Sequence, residues 1–276
     1  MLDAEAFKAN ERLAWDLCAE KYDGYLTRAF IPFSQKLVHL AQLQAGYRVL
    51  DVASGSGLAT FMAAEVVGPG GRVIGVDLSE AMVTLARKRA TEEGVNNVEF
   101  IHMDAEELEF PSDSFDAVLC ALGLMLFPQP KTALSEMHRV LRTGETAALS
   151  VFGRGSRVAL RALIEPFIPH MPRPPQRGPS IFGFGRTEVL EEAARAAGFS
   201  DVTTHQEAHV LAFDHEEGVW EMLLSLGRLA QIHSRLPAET QAQLREQVYQ
   251  IARDQCSTPQ GALELPFELT YAVARR

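Results

Sequence analysis

Three aspartates and two glycines carry the chemistry that this chain offers. Residues 49–60 read VLDVASGSGLAT, an apolar strand running into a Gly-x-Gly turn at Gly55 and Gly57, followed by a helical pattern. Twenty residues after Gly57 a second strand, RVIGVD, ends in Asp77, and a third ends at Asp104. Glycines let a backbone close against a ligand, and a carboxylate ending the next strand suits the paired hydroxyls of a ribose. The pattern therefore predicts a nucleoside site. Two features argue against a dinucleotide: Thr60 stands where a third glycine is expected, and a carboxylate lies inside the first strand, giving Asp51-x-Ala53-x-Gly55-x-Gly57. No G-x-x-x-x-G-K-[ST] is present, which disfavours a nucleoside triphosphate. Asp51 is expected to bond the loop's own amides and stiffen it.

The elements that must position these residues follow from periodicity. Residues 4–44 read as two or three helices, with Trp15, Tyr22, Tyr25, Phe30, Phe33, Leu37, Leu40 and Leu43 as an apolar stripe broken at Gly24 and Pro32. Strand and helix then alternate. Strands are predicted over 49–53, 72–77, 98–103, 114–121 and 146–152, and helices over 58–67, after the cap Ser79, and over 131–142. Near-continuous apolar strands between helices indicate a parallel sheet covered on both faces, with ligands at the carboxyl ends of the strands. A proline-rich segment, 154–186, interrupts the pattern and reads as an insertion over those ends. Thr187 is expected to cap a helix that Gly198 closes, before a strand over 201–213, helices over 214–256 and a last strand over 263–274. The division is thus 1–45 N-terminal helical cover, 46–153 core, 154–186 cap insertion, 187–213 core helix and strand, 214–260 helical cap, and 261–276 final strand.

The glycine-rich segment resembles that of class I S-adenosylmethionine-dependent methyltransferases. Residues 104–144, DAEELEFPSDSFDAVLCALGLMLFPQPKTALSEMHRVLRTG, are similar to the block after the third strand in UbiE-like small-molecule methyltransferases. The resemblance implies an α/β fold: a Rossmann-like, seven-stranded, mostly parallel sheet with an antiparallel last strand, helices on both faces and helical cap insertions. It implies that S-adenosyl-L-methionine is bound and released as S-adenosyl-L-homocysteine. Asp77 would take the ribose hydroxyls, with Leu78 and Met82 against the adenine. Asp104 would accept from the adenine amino group, and the Ala105 amide would read a ring nitrogen. Gly55, Gly57 and Ala53, the last standing where glycine is commoner, would face the methionine moiety. Tyr22 would cover its amino-acid end, and Ala121 would lie beside the sulfonium. Transfer of a sulfonium methyl gains most from alignment and desolvation, and needs a base only where the acceptor holds a high-pKa proton.

Acceptor residues are less marked. Met125 and Phe127 after the fourth strand, and Phe167, Phe182 and Trp220 in the caps, predict an apolar and aromatic pocket for a largely hydrophobic small molecule, such as an aromatic or polyketide-like metabolite. His170 and His233, both in cap segments, are the candidates for a base. His138 is expected on the surface. No metal site is expected, because His205 and His209 share one face of a strand without a ligand pattern. The segment after Tyr22–Asp23, GYLTRAFIPF, lacks the signature of the quinone-methylating members, which leaves a quinone-type C-methyltransferase as an alternative. A non-methyl-transfer reaction on the same cofactor is another. A nicotinamide oxidoreductase is opposed by Thr60 and by the 104–144 block.

Composition fits this frame. The 276 residues are 47% hydrophobic, enough for a large core, and the net charge of −10 with no basic run disfavours a nucleic-acid partner. Cys18, Cys120 and Cys256 are too scattered for a disulfide framework and read as reduced, buried thiols. No apolar run approaches membrane-spanning length and the first residues lack a signal-peptide pattern, so a cytoplasmic protein without stable membrane insertion is expected. A homodimer is compatible with such a chain.

Overall fold

The computed structural model describes residues 3–172 and 180–276; residues 173–179 of the expected cap insertion lie outside them. Seven strands form one sheet: β1 Arg48–Val52, β2 Arg72–Asp77, β3 Val98–His102, β4 Phe115–Ala121, β5 Leu141–Phe152, β6 Ser200–Phe213 and β7 Leu263–Arg275. Their order is β3-β2-β1-β4-β5-β7-β6. β1 to β5 pair in parallel, and β7 runs antiparallel between β5 and β6, as the sequence predicts. Every residue of β1 after Arg48 is buried, as a central parallel strand covered on both faces requires. From β1 the chain continues to β2 on one side, while β4 lies on the other. Such a reversal opens a crevice at the strand ends.

The helices are α1 Ala4–Ala29, α2 Ile31–Leu40, α3 Leu58–Val67, α4 Glu80–Glu92, α5 Pro130–Val140, α6 Leu160–Ile164, α7 Thr187–Ala196, α8 Glu216–Leu224, α9 Gly227–Ser234 and α10 Ala238–Cys256. Ser79 caps α4, its hydroxyl accepting from the Met82 amide at 3.2 Å. α1 and α9 pack so closely that a Cβ on Gly227 would stand 2.9 Å from the Trp15 ring. Only glycine permits that approach.

Several elements differ from expectation. α1 runs straight through Gly24, which is exposed with open space around it, so the helix bears only the roughly 1 kcal/mol propensity cost of glycine. The break falls at Phe30 instead, where the backbone turns out of the helical region (ψ 4°), and Pro32 sits harmlessly in the first turn of α2. Tyr25 is exposed and leaves the apolar stripe. Thr187 is the first helical residue of α7, not its cap; Arg186 holds that position without a side-chain bond. α5 stops at Val140, because Leu141 adopts extended backbone and pairs with Phe115. His138 is half-buried, not on the surface, with its ring edge-on to Phe199 at 5.1 Å. The three cysteines are free and buried, and burial pushes the Cys18 and Cys120 thiols up to about 12.

Gly57 carries the turn from β1 into α3. Its φ is +92°, and an added Cβ would meet the Phe100 ring at 2.7 Å. Gly57→Ala should cost about 2–4 kcal/mol, combining left-handed strain with overpacking. Denaturant unfolding measures this, and a loss below about 1 kcal/mol would show that loop and ring move apart freely.

Candidate functional site

A cavity of about 1130 Å³ lies at the carboxyl ends of β1, β2 and β4. A single small-molecule site usually takes about 300–1,000 Å³, so the space suits two ligands side by side. Its lining is of two kinds. Gly55, Asp77, Leu78, Met82, Asp104 and Ala105 line it, and so do the apolar side chains of Trp15, Phe30, Phe127, Phe152, Phe182 and Ile232. Ala53, Ala121, Leu122 and Gly123 also line it, and here β1 and β4 come closest: a Cβ on Gly123 would stand 2.6 Å from the Ala53 Cβ. Ala53 and Leu122 both adopt left-handed backbone, φ 57° and 58°. Each bears a strain of about 1–2 kcal/mol, as is common where a site dictates the chain path. Ala53 thus keeps a glycine-like conformation despite its methyl group.

Asp77 ties the site together. Its Oδ2 accepts from the Gly55 amide at 2.8 Å and its Oδ1 from the Ser79 amide at 2.9 Å. Burial raises its pKa, and these two amide bonds pull it back down. Above the glycine turn the backbone is open, since a Cβ on Gly55 would meet nothing nearer than Tyr22 Cε1 at 3.9 Å. Tyr22 stands edge-on to Trp15, with ring centroids 5.7 Å apart, and to Phe30, at 6.5 Å.

Asp51 behaves differently from expectation. It is fully buried, and its Oδ2 accepts from the Thr60 hydroxyl at 2.6 Å, not from the amides of the loop. Thr60, in place of a third glycine, is the residue that meets the strand carboxylate. The other oxygen, Oδ1, has no partner, and burial pushes the pKa up to about 7 against the pull of the Thr60 bond. Asp104 is also engaged. Its Oδ1 accepts from the Glu106 amide at 2.8 Å, and its Oδ2 pairs with Lys8 of α1 at 2.7 Å. Lys8 reaches Glu106 as well, at 2.7 Å. Burial works against its charge, but the two carboxylates outweigh that and raise its pKa.

The cavity therefore brings together Tyr22, Ala53, Gly55, Asp77, Leu78, Met82, Asp104, Ala105, Ala121, Met125, Phe127, Phe182 and His170. Four expected residues do not line it. Gly57 faces Phe100, and its part is the backbone turn. Phe167 is buried and stacked on Trp220, with centroids 6.0 Å apart, so both form the core behind the wall. His233 packs edge-on against Trp220 at 5.3 Å, which removes it as a base in this cavity. Burial also holds its imidazole below its ordinary pKa. His205 and His209 flank Glu207 on β6; Glu207 pairs with Lys36, and His205 stacks on Tyr271.

Sequence reasoning placed a helical cover over 1–45 and a helical cap over 214–260 but did not single out the residues with which α1 and α9 wall the cavity. Lys8, Glu11 and Trp15 on α1, and Arg228, Gln231 and Ile232 on α9, all line the cavity. The Arg228 guanidinium bonds Glu11, with Nε at 3.0 Å, and stands over the Phe7 ring. The length of the first amphipathic segment was the one available signal. Among the described residues no helix is long and apolar enough to cross a membrane.

The sheet order and the crevice at its strand ends define a Rossmann-like α/β protein, and comparison with known proteins gives its class. A family model described as a methyltransferase domain matches residues 43–165. Aklanonic acid methyltransferase DauC of Streptomyces sp. (strain C5) is 35% identical over 166 residues, 59% of this chain and 76% of that protein. A demethylmenaquinone methyltransferase of Listeria monocytogenes is 41% identical over 114 residues, 41% of this chain; the chain spans only 48% of that relative's length. Among solved structures, the YcgJ protein of Bacillus subtilis superposes with a TM-score of 0.58 at 18% identity, covering 88% of this chain and 97% of that one. The [4+2]-cyclase SpnF superposes at 0.57 and 21%, covering 89% and 81%. At such identities the structures report the fold alone. The chain belongs to the class I S-adenosylmethionine-dependent methyltransferases, in the UbiE-like small-molecule family.

Asp51 generates a pH prediction. Its folded pKa of about 7 exceeds its ordinary value of 3.8, so between these the folded state holds a proton that the unfolded state has released. Its contribution to stability therefore falls as pH rises from about 4 to 7 and stays low above. Asp51→Asn removes this titration while still accepting from Thr60. The variant's stability relative to the parent should grow between pH 4 and 8 by on the order of 2–4 kcal/mol. A pH-independent difference in chemical unfolding would contradict the assignment.

Proposed function

We propose that this protein transfers the methyl group of S-adenosylmethionine to an O, N or C nucleophile of a largely hydrophobic small molecule, an aromatic or polyketide-like metabolite. One observation carries the reading: the same cavity is lined by the Gly55 turn and the Asp77 and Asp104 carboxylates and by several aromatic rings. When bound, the cofactor supplies an activated methyl on a positive sulfur. The residues present fit it. Gly55 leaves its backbone open, Asp77 offers carboxylate lone pairs beyond the two amide bonds, and Leu78 and Met82 supply an apolar wall for a base. Asp104 keeps spare acceptor capacity beside Lys8, because a carboxylate has about four lone-pair sites.

On the acceptor side, Trp15, Phe127, Phe152 and Phe182 would exclude water and orient a flat ring system. No base is required for an acidic nucleophile; for a weakly acidic one, His170 is the only histidine among the described residues that line the cavity. The relative named as an aklanonic acid methyltransferase supports a small-molecule acceptor. A second reading stands on the cyclase that shares this fold: a reaction other than methyl transfer in the same cavity.

Incubation with methyl-labelled S-adenosylmethionine and a panel of hydroxylated aromatics, followed by mass spectrometry, tests the proposal. Label on an acceptor with release of S-adenosylhomocysteine is expected. Tight cofactor binding with turnover of an acceptor but no label moved would favour the second reading. Asp77→Ala should weaken S-adenosylhomocysteine binding by about 1–3 kcal/mol through lost charged hydrogen bonds and a looser Gly55 turn; unchanged calorimetric affinity would remove the ribose role. Phe182→Ala should change acceptor preference more than cofactor affinity, and equal loss of both would place that ring with the cofactor.

A further inference from the structure

One polar group in the cavity wall has no work inside the protein. Gln231 is only 6% exposed, yet its carboxamide makes no hydrogen bond with any described residue, and the residue lines the cavity. A polar side chain that borders a cavity without a bond inside the protein keeps its full hydrogen-bonding capacity for whatever the cavity holds. Its neighbours along the wall are the apolar Leu229 and Ile232 and the cations Arg228 and Arg235. The carboxamide is therefore free to bond the contents of the cavity.

The surrounding helix face sharpens the chemistry. Arg228, Gln231 and Arg235 stand three and four residues apart on α9 and its cap, and all three line the cavity. Residues so spaced share one face of a helix. Arg228 is already committed to Glu11 and Phe7. Arg235 is exposed and has no side-chain partner among the described residues. Gln231 is thus the neutral, buried reading group, with a cation nearer solvent. A carboxamide donates two protons and accepts through its carbonyl at once. Its complement is a ring edge with two neighbouring oxygens, at least one of them a hydroxyl.

We infer that Gln231 is a specificity-determining residue for the acceptor, holding an oxygenated edge of an otherwise apolar polycycle by a two-point hydrogen bond. This rests on the reading of the aromatic part of the cavity as the acceptor site. It adds what the apolar lining cannot supply, because a site that hydrogen-bonds a substrate hydroxyl rejects the analogue lacking it far more strongly than shape alone does.

The test uses the full chain saturated with S-adenosylhomocysteine and reads quenching of tryptophan fluorescence; Trp15 lines the cavity. The probes are 1,2-dihydroxyanthraquinone, anthraquinone (the same ring system without hydroxyls) and anthraquinone-2-carboxylate. The parent should bind the dihydroxy probe at least about tenfold tighter than anthraquinone. Gln231→Leu should bring the two within about twofold, by weakening the dihydroxy probe alone. Gln231→Leu should melt close to the parent, since the carboxamide makes no bond within the protein; Gln231→Met serves if the branched side chain does not pack. Three results overturn the assignment: binding of neither probe by the parent, a ratio unchanged in the variant, or preference for the carboxylate probe that Gln231→Leu leaves intact, which would transfer recognition to Arg235. Calorimetry of S-adenosylhomocysteine separates the two levels. Failure to bind it, with the probe ratio preserved, would sink the methyl-transfer reading and leave the role of Gln231 standing.

Discussion

The carboxylate of Asp77 holds two chain crossings in place. It ends β2, yet its two oxygens accept one amide from the turn after β1 and one from the start of α4. Without it the Gly55 turn and the Ser79 cap would be set independently, and the glycine surface would lose its fixed position against the strand ends. A buried carboxylate is tolerated only when such bonds replace its hydration. Asp51 does comparable work one layer deeper, joining β1 to the first turn of α3 through Thr60. Two carboxylates, each bonded across an element boundary, thus shape the crevice that the parallel sheet opens.

The other side of the cavity is closed by α1, and polar contacts hold it there. Lys8 bonds Asp104 and Glu106, Asp16 accepts from the Ser79 hydroxyl and the Ala81 amide, and Glu11 bonds Arg228. Lys8 and Glu106 are almost wholly buried, so this contact is more than a solvated surface pair. Leu13 and Leu17 of the same helix point to solvent. The cover is fixed by matched charges at positions that also border the ligand space, and so any movement of α1 is coupled to the state of Asp104.

The central sheet was legible because its signals are local. Apolar runs that carry Asp51 inside and lead to Asp77 and Asp104, punctuated by Gly55, Gly57 and Ser79, name strand, turn and cap within a few residues of each other. Where expectation failed, a distant partner decided. Gly24 stays helical because solvent surrounds it, and Leu141 leaves its helix to pair with Phe115. Phe167 and Trp220 read as pocket aromatics but satisfy each other in the core. Asp51 found Thr60, a pairing hinted at by the missing third glycine. The α9 helix was read as part of a cap, but Gln231 within it was not legible, because one Gln in a helix gains meaning only once the cavity beside it is known.

The position of β7 sets an order of assembly. Residues 263–275 pair with β5 on one side and with β6 on the other. During synthesis β6 is therefore made long before its one partner strand, and the sheet stays open beside β5 until the chain has travelled through α8, α9 and α10. The side of the sheet formed by β1, β2 and β3, whose strands pair with near neighbours in sequence, has no such wait. A ribosome-bound chain would thus own a formed glycine turn while α9 is still being translated, and the two sides of the cavity would mature at different times.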